Sequence, residues 1–218
     1  MKKGKIVLVG TGFVGISMAY SMLNRGGINE LVLIDLDENK AIGEEMDLSH
    51  GLPFAPQKMV IKAGNYSDCK DAQIVVITAG AAQKPGQTRL ELAEVNTKIM
   101  KSITEQIMAS GFNGIIINIT NPCDIIAYYI QKTTGLPKNK VFGTGTGLDS
   151  SRFKNVMAQA TGIDHKSIIG YSLGEHGDSQ MIPWSIVNLG GKPLSQLEKE
   201  RPETFGKLDK EDIKNMIL

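Results

Sequence analysis

The chain has 218 residues, with 24 Lys and Arg against 23 Asp and Glu and only two cysteines. So even a charge balance leaves no positive field to hold a nucleic acid or an anionic membrane, and any anion must be held locally. Cys69 and Cys123 stand outside any CxxC or Cys/His pairing, which argues against a disulfide scaffold and against structural zinc or another metal site, and fits a reducing, cytoplasmic setting.

Short β-branched runs alternate with longer stretches of helical spacing, the rhythm of βαβ units on a parallel sheet. The first run, "KIVLVG", follows basic residues but meets glycines too soon for a signal peptide, so it reads as a buried strand. A helix follows over Phe13 to Gly26, then the strand "ELVLID" and a helix over Asn39 to His50. "KMVIKAG" and "AQIVVITAG" are two further strands. A long helix spans Thr88 to Ser110 with Thr88 as its N-cap, and after "NGIIINIT" another spans Pro122 to Thr133 with proline in its first position. "NKVFGTG" gives a sixth strand, and Ser150 to Thr161 a helix. "KIVLVG", "ELVLID", "AQIVVITAG" and "NGIIINIT" are near-continuously apolar, as strands covered on both faces require, whereas "KMVIKAG" is a weaker run. Beyond residue 162 the texture changes to shorter antiparallel strands in "SIIGYSLGEHG" and "MIPWSIVNLGGKP", then a helix in "LDKEDIKNMIL". The expected architecture is α/β: a Rossmann-type doubly wound parallel sheet over residues 1–145, then a partial α+β catalytic domain over 146–218. No apolar stretch approaches the ~20 residues needed to cross a bilayer, so a soluble protein is expected.

"VGTGFVG" sets Gly10, Gly12 and Gly15, with Phe13 and Val14 between them, directly after the first strand, where a backbone must turn sharply and approach a pyrophosphate at a helix N-terminus. A bare glycine triplet is weak evidence. Asp35 strengthens it, because it ends the second strand about 20 residues beyond Gly15, where a carboxylate can accept hydrogen bonds from a ribose diol. The same charge repels a 2'-phosphate and favours NAD over NADP. Thr78, Ala79 and Gly80, after the fourth strand, supply small residues where a dinucleotide crosses the carboxyl edge of the sheet.

The motifs "GTGFVG", "AGAAQKPGQTRLEL", "TNPCD", "GTGLDSSRF" and "GEHGDSQ" together resemble the L-lactate/malate dehydrogenase family, nearest to its L-lactate dehydrogenase side, from residue 4 to about residue 195. The resemblance implies hydride transfer between NADH and a 2-oxo acid, a cytoplasmic oxidoreductase of fermentative glycolysis, and self-association to a dimer or tetramer through the Asn39 to His50 helix and the second domain. Reducing a ketone puts negative charge on oxygen, so a proton donor that titrates near neutrality is the natural partner; the family's histidine matches His176. Its orienting aspartate matches Asp149. Arg152, three positions on, can face the same cleft at the start of one helix, and a planar guanidinium clamps a carboxylate with two parallel hydrogen bonds. Arg89 matches the lid arginine that polarises the carbonyl when the loop closes, and Asn121 should bond the same oxygen or the nicotinamide side.

Malate-specific relatives carry an arginine where this chain has Gln83, and a neutral amide offers no charge to a second carboxylate. Pyruvate and lactate are the expected pair, with the similar L-2-hydroxyisocaproate dehydrogenases, which take bulkier 2-oxo acids, as an alternative. Lys154 and Ile169 replace the arginine and histidine of relatives with a fructose 1,6-bisphosphate site, which disfavours that activation. The family also continues for roughly another third of a chain, so the C-terminal part is expected to be missing, and an inactive NAD-binding fragment is the remaining alternative. His50 and His165 are expected at a helix end and at the surface.

Overall fold

The computed structural model describes residues 4–217, except for the side chain of Arg89. It divides into two compact units, Met1–Gly143 and Thr144–Leu218. In the first, strands β1 (Lys5–Val9), β2 (Glu30–Ile34), β3 (Val60–Ala63), β4 (Ile74–Ile77), β5 (Ile115–Asn118) and β6 (Val141–Gly143) form one sheet in the order β3-β2-β1-β4-β5-β6. Every pairing is parallel. The helices are α1 (Phe13–Arg25), α2 (Glu38–His50), α3 (Arg89–Ala109) and α4 (Cys123–Thr134).

The period of two along each strand explains both layers of the core. Val7, Val9, Val32, Ile34, Val75 and Ile77 point to one face and pack with Met100, Ile103, Ile107, Ile126 and Ile130 of α3 and α4. Ile6, Leu8, Leu31, Leu33 and Val76 point to the other face and meet Ala19, Leu23 and Leu48 of α1 and α2. Truncating a fully buried residue such as Leu31 costs ~2–5 kcal/mol in such a core.

Thr88 caps α3 as expected, its hydroxyl accepting from the Glu91 amide while the Glu91 carboxylate accepts from the Thr88 amide. Pro122 departs from expectation by one position. Its ψ of 119° is extended, so it is the N-cap and the helix begins at Cys123. Lys5 is a departure of another kind, a lysine 3% exposed inside an apolar strand. It bonds Asp71, with Glu30 and Asp68 at 3.8 and 3.7 Å, as a buried charge requires.

The second unit contains α5 (Gly147–Thr161), three two-residue strands β7 (Ile168–Ile169), β8 (Asn188–Leu189) and β9 (Lys192–Pro193), then α6 (Leu194–Glu200) and α7 (Lys210–Ile217). The strands pair antiparallel in sequence order. Phe153 and Met157 of α5 centre a separate core with Ile168, Leu189, Leu194, Ile213 and Ile217, and Trp184 meets the Phe153 ring edge-on at 5.7 Å. Among the described residues no helix is long and apolar enough to cross a membrane.

Candidate functional sites

The sheet order reverses between β1 and β4, and at that switch point ligands of open α/β sheets bind outside the carboxyl ends of the strands. Gly10 follows β1 with φ +100°, and a Cβ there would stand 2.5 Å from the Ala79 amide nitrogen. At Gly15, in the first turn of α1, a Cβ would fall 2.1 Å from the Gly10 carbonyl oxygen. The Thr78 hydroxyl donates to that same carbonyl at 2.8 Å, so Thr78 and Ala79 shape the turn by closing on it. Gly12 is the opposite case, with nothing within 4 Å of an added Cβ. Phe13 and Val14 beside it are exposed. The result is a bare helix N-terminus with open space before it, the cradle a pyrophosphate fits.

Asp35, just after β2, accepts from the Thr11 amide at 2.7 Å and the Thr11 hydroxyl at 2.8 Å on one oxygen, and from the Asp37 amide at 3.2 Å on the other. Partial burial works against its charge, but these bonds and nearby Lys40 outweigh it, so its pKa lies below the ordinary aspartate value. An ionised carboxylate held at the end of β2 is what a ribose diol needs. Sequence reasoning missed Thr11, which is 1% exposed and has no motif of its own. Burial pushes the Tyr66 phenol up to about 12, and the charge on Asp35 adds to the effect.

Beyond β4, the Thr120 hydroxyl donates to the Ala79 carbonyl at 2.7 Å, and Gly80 leaves no room for a Cβ against Thr120 Cγ2. Asn121 is exposed at the end of the loop after β5. Gln83 is exposed in the loop before α3, its amide donating to the Gln87 carbonyl at 2.7 Å. The backbone of Arg89 opens α3, but its side chain lies outside the described residues.

The second unit assembles three of the predicted residues. Asp149, in the first turn of α5, is 1% exposed. One carboxylate oxygen lies 2.6 Å from His176 Nδ1 and the other 3.3 Å from an Arg152 guanidinium nitrogen. A buried carboxylate holds charge only when paired, and here both oxygens are paired. With Asp149 accepting at Nδ1, that nitrogen carries the proton and Nε2 becomes the ring nitrogen that exchanges one. The loop bearing His176 is closed by the Leu173–Met181 bridge and held below by the buried Ser172 hydroxyl donating to Gln180 at 2.8 Å. Thr146 and Ser150 bind the Ser172 carbonyl, which ties that loop to α5. Arg152 keeps its side chain 45% exposed and also donates to the Ile217 carbonyl at 3.3 Å.

An open hollow of about 430 Å³ runs along α2, lined by Lys40, Gly43, Glu44, Met46, Asp47 and His50, and none of the predicted site residues lines it. His50 ends α2 and His165 lies in a surface turn, both exposed. Among the described residues no group of three or more His, Cys, Asp or Glu is placed to hold a metal.

A parallel sheet of this order with a glycine turn at its switch point defines a dinucleotide-binding fold, here followed by a unit carrying a histidine–aspartate–arginine cluster. Residues 4–143 match the family model for the lactate/malate dehydrogenase NAD binding domain, and residues 146–217 match its alpha/beta C-terminal domain. The chain belongs to the lactate/malate dehydrogenase family, and its first unit is the NAD-binding domain of that family. It is 52% identical over 209 residues, 96% of its length, to L-lactate dehydrogenase 3 of Bacillus cereus, and spans 66% of that relative. Among solved structures it is similar to a lactate dehydrogenase enzyme from a Medee basin deep-sea metagenome library, with TM-score 0.90 and 48% identity, covering 100% of this chain and 68% of that one. It is also similar to the lactate dehydrogenase of Cryptosporidium parvum complexed with lactic acid and β-nicotinamide adenine dinucleotide, with TM-score 0.87 and 32% identity, covering 100% and 67%.

Proposed function

We propose that this protein is an NAD-dependent L-lactate dehydrogenase that interconverts pyruvate and L-lactate. The observation that carries the reading is the 2.6 Å contact between His176 Nδ1 and the buried carboxylate of Asp149, with Arg152 on the other oxygen. The glycine cradle and Asp35 support NAD as the coenzyme, because a carboxylate held ionised accepts from a ribose diol and repels a 2'-phosphate.

A nicotinamide coenzyme held there would supply hydride to the carbonyl carbon and be left oxidised. As negative charge develops on the carbonyl oxygen, His176 would give it the Nε2 proton, which yields the alcohol. Asp149 keeps the imidazole in one tautomer and stabilises its protonated form before transfer. Arg152 takes the substrate carboxylate with its fork of donors, which orients a 2-oxo acid and rejects simple ketones. Arg89 and Asn121 are assigned to the carbonyl oxygen, and Gln83 to the side chain, where a neutral amide disfavours oxaloacetate. Self-association to a dimer or tetramer and a cytoplasmic role in fermentative glycolysis belong to the same proposal.

The test compares kcat/KM for pyruvate, oxaloacetate and 2-oxoisocaproate with NADH, in the unaltered protein and in His176→Asn. Pyruvate is expected to lead, and His176→Asn to lose about 100-fold to 10,000-fold in turnover with NADH affinity retained. Oxaloacetate leading by a wide margin, or full turnover in His176→Asn, refutes the assignment.

A further inference from the structure

Asn96 lies on the second turn of α3, carries no motif, and is 1% exposed. Its side chain makes three hydrogen bonds, none of them within its own helix. The amide oxygen accepts from the Ala81 amide at 2.8 Å, and the amide nitrogen donates to the Ala81 carbonyl at 3.3 Å and to the Asn121 carbonyl at 2.6 Å. The first two pair the side chain with a single backbone residue as a neighbouring strand would. The third crosses to the loop after β5. Buried polar groups cost free energy unless satisfied, so each of these bonds holds its loop in place.

Both loops carry residues assigned above to ligand. Ala81 is the point where the chain leaves the body of the unit: residues 81–86 are exposed, and Gln83, Lys84 and Gln87 bond one another. On the other side Asn118 donates to the carbonyls of Thr120 and Cys123, so the segment from Thr120 to Cys123 is fastened from within by Asn118 and from outside by Asn96. Gly80 completes the arrangement, since a Cβ there would stand 2.5 Å from Thr120 and 3.2 Å from Asn96.

We infer that Asn96 is a positioning residue: it sets the fixed root of the loop bearing Gln83 and holds the Asn121 backbone, so that the two loops present one ligand-facing edge. The inference rests on the dehydrogenase reading for what that edge binds, but not for the fastening itself. An alanine at this position removes all three bonds. An aspartate keeps an acceptor for the Ala81 amide but turns a charged oxygen toward the Ala81 and Asn121 carbonyls, so it breaks both donated bonds, the link to Asn121 among them, and leaves only the accepted one.

The experiment measures NADH affinity by fluorescence titration and amide hydrogen exchange by NMR in the full chain, for Asn96→Asp, Asn96→Ala and Thr104→Val. Thr104 is buried farther along α3, and its hydroxyl bonds only helix carbonyls, so its variant reports general loss of helix stability. Asn96→Asp is expected to weaken NADH binding roughly tenfold, the scale of one or two lost hydrogen bonds, and to speed exchange at Ile119 and Thr120 while Ala81 stays protected. Thr104→Val is expected to bind NADH as the unaltered protein does despite a lower melting temperature. The inference is overturned if Asn96→Asp binds within about twofold of the unaltered protein, or if Thr104→Val weakens binding equally. If Asn96→Asp does not fold, Asn96→Ala is read against the same limits. If the unaltered protein binds no NADH, the coenzyme reading fails, and exchange at Ile119 and Thr120 alone decides: unchanged rates there refute the fastening.

Discussion

The glycine edge of the first unit and the histidine cluster of the second are built on opposite principles. At the edge, the proposed role rests on shape: a single carbon added at Gly10 or Gly15 would meet backbone at 2.5 and 2.1 Å. In the cluster, the proposed role rests on charge: Asp149 is buried, and its two oxygens face an imidazole and a guanidinium. A backbone cradle is broken by adding an atom, a charge cluster by replacing one with almost no change in volume.

Asp149→Asn is the sharpest break on the charge side. It preserves size and burial but removes the negative charge and one of the two acceptor oxygens that face His176 and Arg152, and turnover with pyruvate is expected to fall about 1000-fold, while NADH titration stays near that of the unaltered protein. Equal losses in both measurements would mean that the two regions are not separable in this way. On the shape side, Gly15→Ala should destabilise by about 3 kcal/mol through overpacking against the Gly10 carbonyl, read as a lower unfolding midpoint in denaturant. Gly12→Ala, with open space around its Cβ, should leave stability within about 0.5 kcal/mol yet weaken NADH binding. A comparable loss of stability at both glycines would refute the distinction.

A smaller effect comes from the charges around Lys5. Burial disfavours the charged form of Asp68, but the Lys62 side chain and the Asn65 amide more than compensate, so its folded pKa lies below the ordinary value. A group depressed in this way contributes stability fully above its unfolded pKa of ~3.9 and loses it as pH falls through the folded value. Thermal unfolding followed from about pH 6 down to about pH 3 should therefore show a shallower acid loss in Asp68→Asn. The smallest expected signal is at Cys69, which is fully buried and whose thiol is pushed up to about 12 by burial. It should resist a maleimide at neutral pH in the folded protein and react once the chain is unfolded in denaturant; rapid labelling of the native state would contradict this.

The parallel sheet was legible because its four central strands are apolar on both faces or nearly so, and such runs have few other stable homes. The helix limits followed from caps, with Thr88 the clearest, and Pro122 missed by one position because proline serves equally well just outside a helix. The second unit was harder. Its strands are two residues long, too short for a period, so only the stretches that hold them and their antiparallel sense were readable. Within the sites, motif residues such as Gly10, Asp35, Asp149 and His176 carry their chemistry openly. Thr11 and Asn96 do not, since each acts by bonding a residue far away in the chain.

By itself the sequence determined the architecture and the candidate chemistry, because hydrophobic period and residue type are local properties that survive without coordinates. Tertiary structure alone decided the pairings that no motif announces: Lys5 with Asp71, Thr11 with Asp35 and Asn96 with Asn121. Those bonds join positions brought together only when the core closes, and removal from water is what makes each of them necessary.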